Sequence, residues 1–210
     1  AAILAAGLLL AAPAAAQITV PGQSNIYGAG HDTPPAPGGG GGGVLPTLVP
    51  LPAGSDRTLT VADVSGSLDY GPCCPANGPD GIEASDAFPA PIWDGLAGTD
   101  LPTRARFLVG VFLDDTEPAD PAPDRLVLAD GSFATLAPGL RQIFFLGDGL
   151  TGTGEGDLQE FSVPEGATRL FLGVQDRFSN DPNVPGYYGD NSGEVTLTVT
   201  VDGVATSVDD

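Results

Sequence analysis

The sequence predicts an all-β fold, a two-sheet β-sandwich of jelly-roll type with long Gly/Pro-rich loops, on three observations. The 210 residues include 31 glycines and 21 prolines, the residues that separate short strands by turns. Beyond residue 16 no segment sustains a helical period, whereas several runs alternate between apolar and polar positions. Those runs, together with an apolar fraction of 41%, separate the chain from disordered sequences equally rich in Gly and Pro. This length fills one sizeable domain and falls short of two, so residues 17–210 read as one unit.

Residues 1–16 (AAILAAGLLLAAPAAA) read as the apolar part of a secretory signal peptide, with small residues suited to cleavage after Ala16. The run is too short for a comfortable membrane span. A mature product without a membrane span, secreted or assembled outside the cell, is the expectation. Residues 18–20 form a short first strand. A Pro-rich piece ending in six glycines, residues 31–43, reads as a flexible surface loop. It lacks the strand-to-helix context and the lysine of a phosphate-binding loop.

Prolines at 46 and 50 interrupt the apolar stretch 44–51 and confine any strand there to a sheet edge. Residues 58–64 (TLTVADV) alternate, and the strand continues through Gly66 to Tyr70. A long loop, 71–102, carries both cysteines and the only tryptophan. Residues 106–113 (RFLVGVFL) are apolar on both faces, as a central strand is. An acidic, Pro-rich loop at 114–124 precedes strands at 125–128, 142–146, 159–163 and 168–175. The clearest strand is 194–201 (EVTLTVTV), with Val195, Leu197, Val199 and Val201 on one face. Asp202-Gly203 supplies a type I′ turn, and 204–208 returns as an edge strand.

Seven basic residues, all arginine, face 27 acidic ones, for a formal charge of −20. Nucleic acid is therefore a poor partner, because its binding depends on clustered cations that release counterions. Anionic membrane surfaces are disfavoured for the same reason. Such an acidic surface keeps a protein soluble and attracts divalent cations. Cys73 and Cys74 are neighbours. In an oxidising compartment a strained vicinal bridge or bridges to other chains are both open, with the reading leaning to the former. Two thiols without further Cys or a nearby His make no structural zinc site.

No nucleophile–base pair stands out, and an enzyme is not expected. Asp114-Asp115 are sequence neighbours, which a strand would point to opposite faces, unlike the facing carboxylates of a glycosidase. His31, the sole histidine, sits beside the glycine run and makes a Ser-His-Asp triad improbable. Residues 147–157 are acidic and Gly-rich and read as a hairpin loop, with a second calcium as the alternative. The densest oxygen-bearing segment is 174–194 (VQDRFSNDPNVPGYYGDNSGE), where Asp176, Asn180, Asp181, Asn183, Asp190 and Asn191 stand among glycines and prolines. Calcium takes about six to eight oxygens from carboxylates, amides and carbonyls. A hydrophilic loop uses the same residue types, so composition leaves both readings open.

The segment VPGYYGDNSGEVTLTV resembles the C-terminal signature of the LecA (PA-IL) type of calcium-dependent galactose-binding lectins and related β-sandwich domains. Upstream, Tyr70-Gly71-Pro72 is similar to the Tyr-Gly-Pro loop that gives a carbonyl to the same calcium in that family. Carried over residue by residue, the resemblance implies Tyr70 and Tyr187 as carbonyl ligands and Asp190 and Asn191 as side-chain ligands of Ca2+. The family also uses an aspartate at the end of the preceding strand. Asp176 fits that place, while Asp181 and Asn183 fit by their distance from Pro185-Gly186. A strand end fixes a ligand better than a loop tip, which favours Asp176.

In the family a His and a Gln after Tyr-Gly-Pro hold the sugar. Residues 73–100 contain neither, so galactose specificity does not carry over. The remaining ligand-binding candidates are Asn183 and Trp93, the latter as an apolar face for a sugar ring or as an inward-packed loop anchor. The expectation is thus a secreted calcium-binding module that binds carbohydrate. The alternative is a structural subunit whose partners are other chains of the same protein, in a calcium-stabilised extracellular assembly or homo-oligomer.

Overall fold

Ten strands make up the two main sheets of the computed structural model, which describes residues 16–37, 41–72, 74–176, 181 and 183–207. They are β1 (Ile18–Pro21), β2 (Thr47–Pro50), β3 (Thr58–Asp69), β4 (Leu108–Leu113) and β5 (Thr135–Leu136). β6 (Ile143–Phe145), β7 (Glu160–Ser162), β8 (Arg169–Val174), β9 (Ser192–Val201) and β10 (Val204–Ala205) follow. The first sheet has the order β1-β9-β3-β7-β5, with β10 folded back on β9; the second is β6-β4-β8-β2. From β1 to β9 the odd strands lie in one sheet and the even strands in the other. Neighbours are antiparallel throughout, except for the parallel pair β5–β7.

Burial follows the sequence pattern. β4 is buried at all six positions and lies between β6 and β8, the central place that its two-sided apolar run demands. β2, which ends on Pro50, is an edge strand, where a missing N–H costs no ladder bond. Val195, Leu197, Val199 and Val201 of β9 are all buried. The sheets meet through aromatic rings. Phe144 of β6 lies 5.3 Å from Phe161 of β7 and stacks on Phe112 of β4 at 5.0 Å, centroid to centroid. Each such pair adds about 0.5–1.5 kcal/mol beyond its buried area.

A β-bulge in β3 sets which residues reach the core. Against β9, Thr196 pairs with Ser65 and Thr198 with Ala62, so β3 carries one residue more than its partner in that interval. Asp63 takes up the turn with a φ of 53°. The inward parity changes there: Leu59 and Val61 are buried before the bulge, Leu68 and Tyr70 after it. Without the extra residue, Tyr70 would point to the opposite face.

Residues 71–102 hold short ladders of their own. Ile82–Glu83 pairs with Arg104–Ala105, Ile92–Trp93 with Leu96–Ala97, and Thr99–Asp100 in parallel with Leu126–Val127. The strand expected over 125–128 is thus a two-residue ladder outside the main sheets. Residues 147–157 form a hairpin, Leu150–Gly152 against Glu155–Leu158. Asp202 and Gly203 have φ of 51° and 76°, as the type I′ turn between β9 and β10 requires.

Among the described residues no helix is long and apolar enough to cross a membrane. The apolar run 1–15, glycines 38–40, Asn180 and Val208 lie outside the described residues, as does Cys73. Cys74 is disulfide-bonded.

Candidate metal centre

Three chain segments converge at one end of the sandwich. The first is the end of β3, where Tyr70 is buried and Gly71 turns the chain with a φ of 76°. The second is the end of β8, which leads through Gln175 to Asp176. The third is a 3-10 turn, Tyr188–Asp190, just before β9. A cleft of about 440 Å³ lies between them, and Tyr70, Asp176, Tyr187 and Asp190 all line it. Asn191 caps the 3-10 turn, its N–H donating to the Tyr188 carbonyl at 3.3 Å.

Side-chain contacts tie the segments together. The Asn191 amide Nδ2 donates to Asp176 Oδ2 at 3.2 Å. Gly71 packs against Asp190 so closely that a Cβ at position 71 would lie 2.6 Å from Asp190 Oδ2. Tyr188, fully buried, anchors the end of β8 from below: its hydroxyl donates to the Val174 carbonyl at 3.1 Å and accepts the Asp176 N–H at 3.3 Å. The glycine run supports the same turn from behind. Gly189 donates its N–H to the Gly41 carbonyl, and a Cβ on Gly43 would lie 2.2 Å from the Gln23 carbonyl oxygen and 2.7 Å from Tyr188 Cβ. A described part of that loop is thus packed against the site, and only glycine fits it at position 43.

Burial dominates the electrostatics beneath the cleft. The Tyr70 phenol is held well above its ordinary pKa by burial and then by the Asp176 charge, with Arg106 opposing. The Tyr188 phenol is raised by burial, then by Tyr27 and Asp176. Both stay neutral at any physiological pH. Arg106 places its guanidinium carbon 5.8 Å from the centre of the Tyr70 ring. Its backbone, at a φ of 61°, is held by Gln175 Oε1, which accepts the Arg106 N–H at 2.9 Å.

Of the residues implicated by sequence, Tyr70, Asp176, Tyr187 and Asp190 share the cleft, and Asn191 bonds to one of them. Asn183 is exposed and gives its Nδ2 to Asp181 Oδ1 at 3.1 Å, outside the cleft lining. Trp93 lies in a separate depression with His31, Asp94 and Glu117, and packs against the core. Arg106, Gln175, Phe88 and Tyr188 were missed. Only Tyr188 carried a signal, a second tyrosine in the Pro-Gly-Tyr-Tyr-Gly turn.

The fit to a cation rests on Asn191. It is 3% exposed, and its Oδ1 has no hydrogen-bond partner among the described residues. A buried acceptor left in that state costs about 1–3 kcal/mol, which a bound cation would remove. Two carboxylates, an amide oxygen and backbone carbonyls are hard oxygen donors of the calcium type. Among the described residues no three of His, Cys, Asp and Glu are grouped so as to hold a metal ion. The chain matches no protein-family model, no curated protein and no solved structure.

Proposed function

We propose that the chain is a secreted calcium-binding module of lectin-like, non-enzymatic type that binds carbohydrate in the cleft between β3, β8 and the turn before β9. The observation that carries this reading is the convergence of Tyr70, Asp176, Tyr187 and Asp190, distant in sequence, on one cleft. The likeness of their two segments to LecA-type lectins supports it. Asp176, Asp190, Asn191 and the carbonyls of Tyr70 and Tyr187 would hold the ion. Bound there, calcium supplies a positive centre that exchanges water for hydroxyl oxygens. The cleft volume lies within the roughly 300–1,000 Å³ of small-ligand pockets.

Calcium titration calorimetry and a glycan array, each with and without chelator, test the proposal. Calcium binding together with chelator-sensitive glycan retention is the expected result. An absence of heat with calcium, or of any retained glycan, overturns it.

A second reading, a subunit of an extracellular assembly, draws on the β2 edge. Val44, Leu45 and Leu48 are each about two-fifths exposed at that edge. Open edges bearing apolar side chains are pairing surfaces. Calcium-dependent growth in light scattering would favour this reading over a monomeric module.

A further inference from the structure

Histidine is the side chain whose charge ordinarily changes between about pH 5 and 8, and His31 is the only one in the chain. Its side chain is 11% exposed, and each ring nitrogen faces a carboxylate from a different loop. Nδ1 lies 3.0 Å from Glu117 Oε1, and Nε2 lies 3.8 Å from Asp94 Oδ2. Nε2 is buried and has no hydrogen-bond partner among the described residues.

Two of the three loops that meet here are joined without His31. Gly95 donates its N–H to Asp120 Oδ1 at 3.1 Å, and a Cβ on Gly95 would collide with the Ala119 backbone. His31 attaches a third loop, residues 31–37, to that pair. The buried Asn25 holds this loop at its base, its Nδ2 donating to the Pro35 and Gly42 carbonyls, each at 3.0 Å. Gly43, next in the chain, packs on Tyr188 behind the candidate metal centre.

The proton inventory of the ring decides how firmly that attachment holds. A carboxylate only accepts, so Glu117 takes the Nδ1 proton. In a neutral imidazole Nε2 is then a bare acceptor facing a second acceptor, Asp94, an arrangement that is unfavourable when buried. A proton on Nε2 converts the same contact into an ion pair. Asp32 also lines the depression around the ring, and among the described residues no arginine does. Behind it, Asp120 is engaged with Gly95, and Arg141 with the Ala119 and Pro121 carbonyls.

We infer that His31 is a proton-operated catch: protonation draws residues 31–37 onto Asp94 as well as Glu117, and loss of the proton leaves the Glu117 bond alone. The hold is fullest on the acid side of the histidine range and slackens as pH rises through it. It acts on the loop behind the Tyr188 turn whether or not an ion occupies the cleft in front, so it stands apart from the calcium reading.

Hydrogen exchange of the His31 amide, which donates to the Gly28 carbonyl at 3.1 Å, reads the catch. It is measured in chelator at about pH 5.5 and about pH 7.5 and corrected for the intrinsic exchange rate. The wild-type amide should be protected about fivefold more at the lower pH. His31→Asn should lose that difference. Asp94→Asn offers the neutral imidazole a donor in place of an acceptor, at a φ of 48° that asparagine tolerates. Its protection should be equal at the two pH values or greater at the upper one. Cooperative thermal melts show that the variants are folded, and Asp94→Asn decides the matter if His31→Asn is not. Equal wild-type protection at both pH values overturns the inference, as does a wild-type pH dependence persisting in folded Asp94→Asn.

Discussion

Asn191 donates its amide to the carboxylate of Asp176 at 3.2 Å, across the two segments that flank β9 and β8, and buries its own carbonyl oxygen without a partner. Asn191→Ala and Asp176→Asn are each expected to weaken calcium binding about tenfold or more, since each removes an oxygen donor or a full charge. In the wild type, calcium at about a hundred times its dissociation constant should add close to 2.7 kcal/mol of stability. Thermal melts with and without the ion read both effects. A melting temperature indifferent to calcium removes the site.

Tyr188 is predicted to matter as much as the ligands themselves. Tyr188→Phe deletes the bond to the Val174 carbonyl and the acceptor for the Asp176 N–H, both in buried or half-buried surroundings. A loss of about 1–3 kcal/mol in urea denaturation is expected. Calcium affinity should fall as well, because Asp176 loses its backbone anchor. Calorimetry on the folded variant separates the two effects.

At position 43 a methyl group has nowhere to go. Its Cβ would meet the Gln23 carbonyl oxygen, a backbone atom, and the φ is 72°. Gly43→Ala should therefore cost about 1–3 kcal/mol of stability and displace the turn at Tyr188. Substituting Gly154, whose Cβ would meet nothing within 4 Å, provides a control that shares the positive φ without the collision. Similar losses in both variants would show that conformation alone, and not packing on the site, decides position 43.

Acid titration should show opposing contributions. The Asp148 carboxyl is raised above its ordinary pKa, first by burial, then by the charge of Asp80 and a hydrogen bond with it. The native state binds that proton more tightly than the unfolded chain, so this contribution to stability declines as pH rises through the raised value. Asp114 and Asp130 are lowered, each by a side-chain and then a backbone hydrogen bond, from Thr116 and Ser132 respectively. Their contribution is present above the ordinary carboxylate range and disappears as pH falls through their lowered values. Asp80→Asn keeps an acceptor for the Asp148 N–H and removes the neighbouring charge, so the Asp148 titration should move down in carboxyl NMR. An unmoved titration contradicts the pairing.

Much of the fold was legible where burial and period agree. β9 and β4 could be read from their alternating and two-sided apolar runs, and Pro50 placed β2 at an edge. The bulge in β3 could not, because Asp63 looks like any polar position in an alternating strand. Its effect appears only when β3 is set against β9. The site was legible as two segments, since Tyr70 and residues 174–194 carry recognisable turn chemistry. Arg106 was hidden inside an apolar strand signal. Its place on the cleft wall depends on a positive φ and on Gln175, neither of which a pattern shows. Trp93, the only tryptophan, read as a sugar face or, more readily, as an inward-packed loop anchor. The ladder Ile92–Trp93 with Leu96–Ala97 carries it into a depression apart from the cleft, packed against the core.

The pairing of β1 with β9 sets Ile18 opposite Leu197. During synthesis β1 therefore lacks its neighbour until β9, far behind it in the sequence, has left the ribosome. A domain closed this late stays open for most of its translation, with Ile18 and Val20 uncovered. That delay exposes the nascent chain to capture by holdases, and makes the closing of β9 on β1 the step that completes the first sheet.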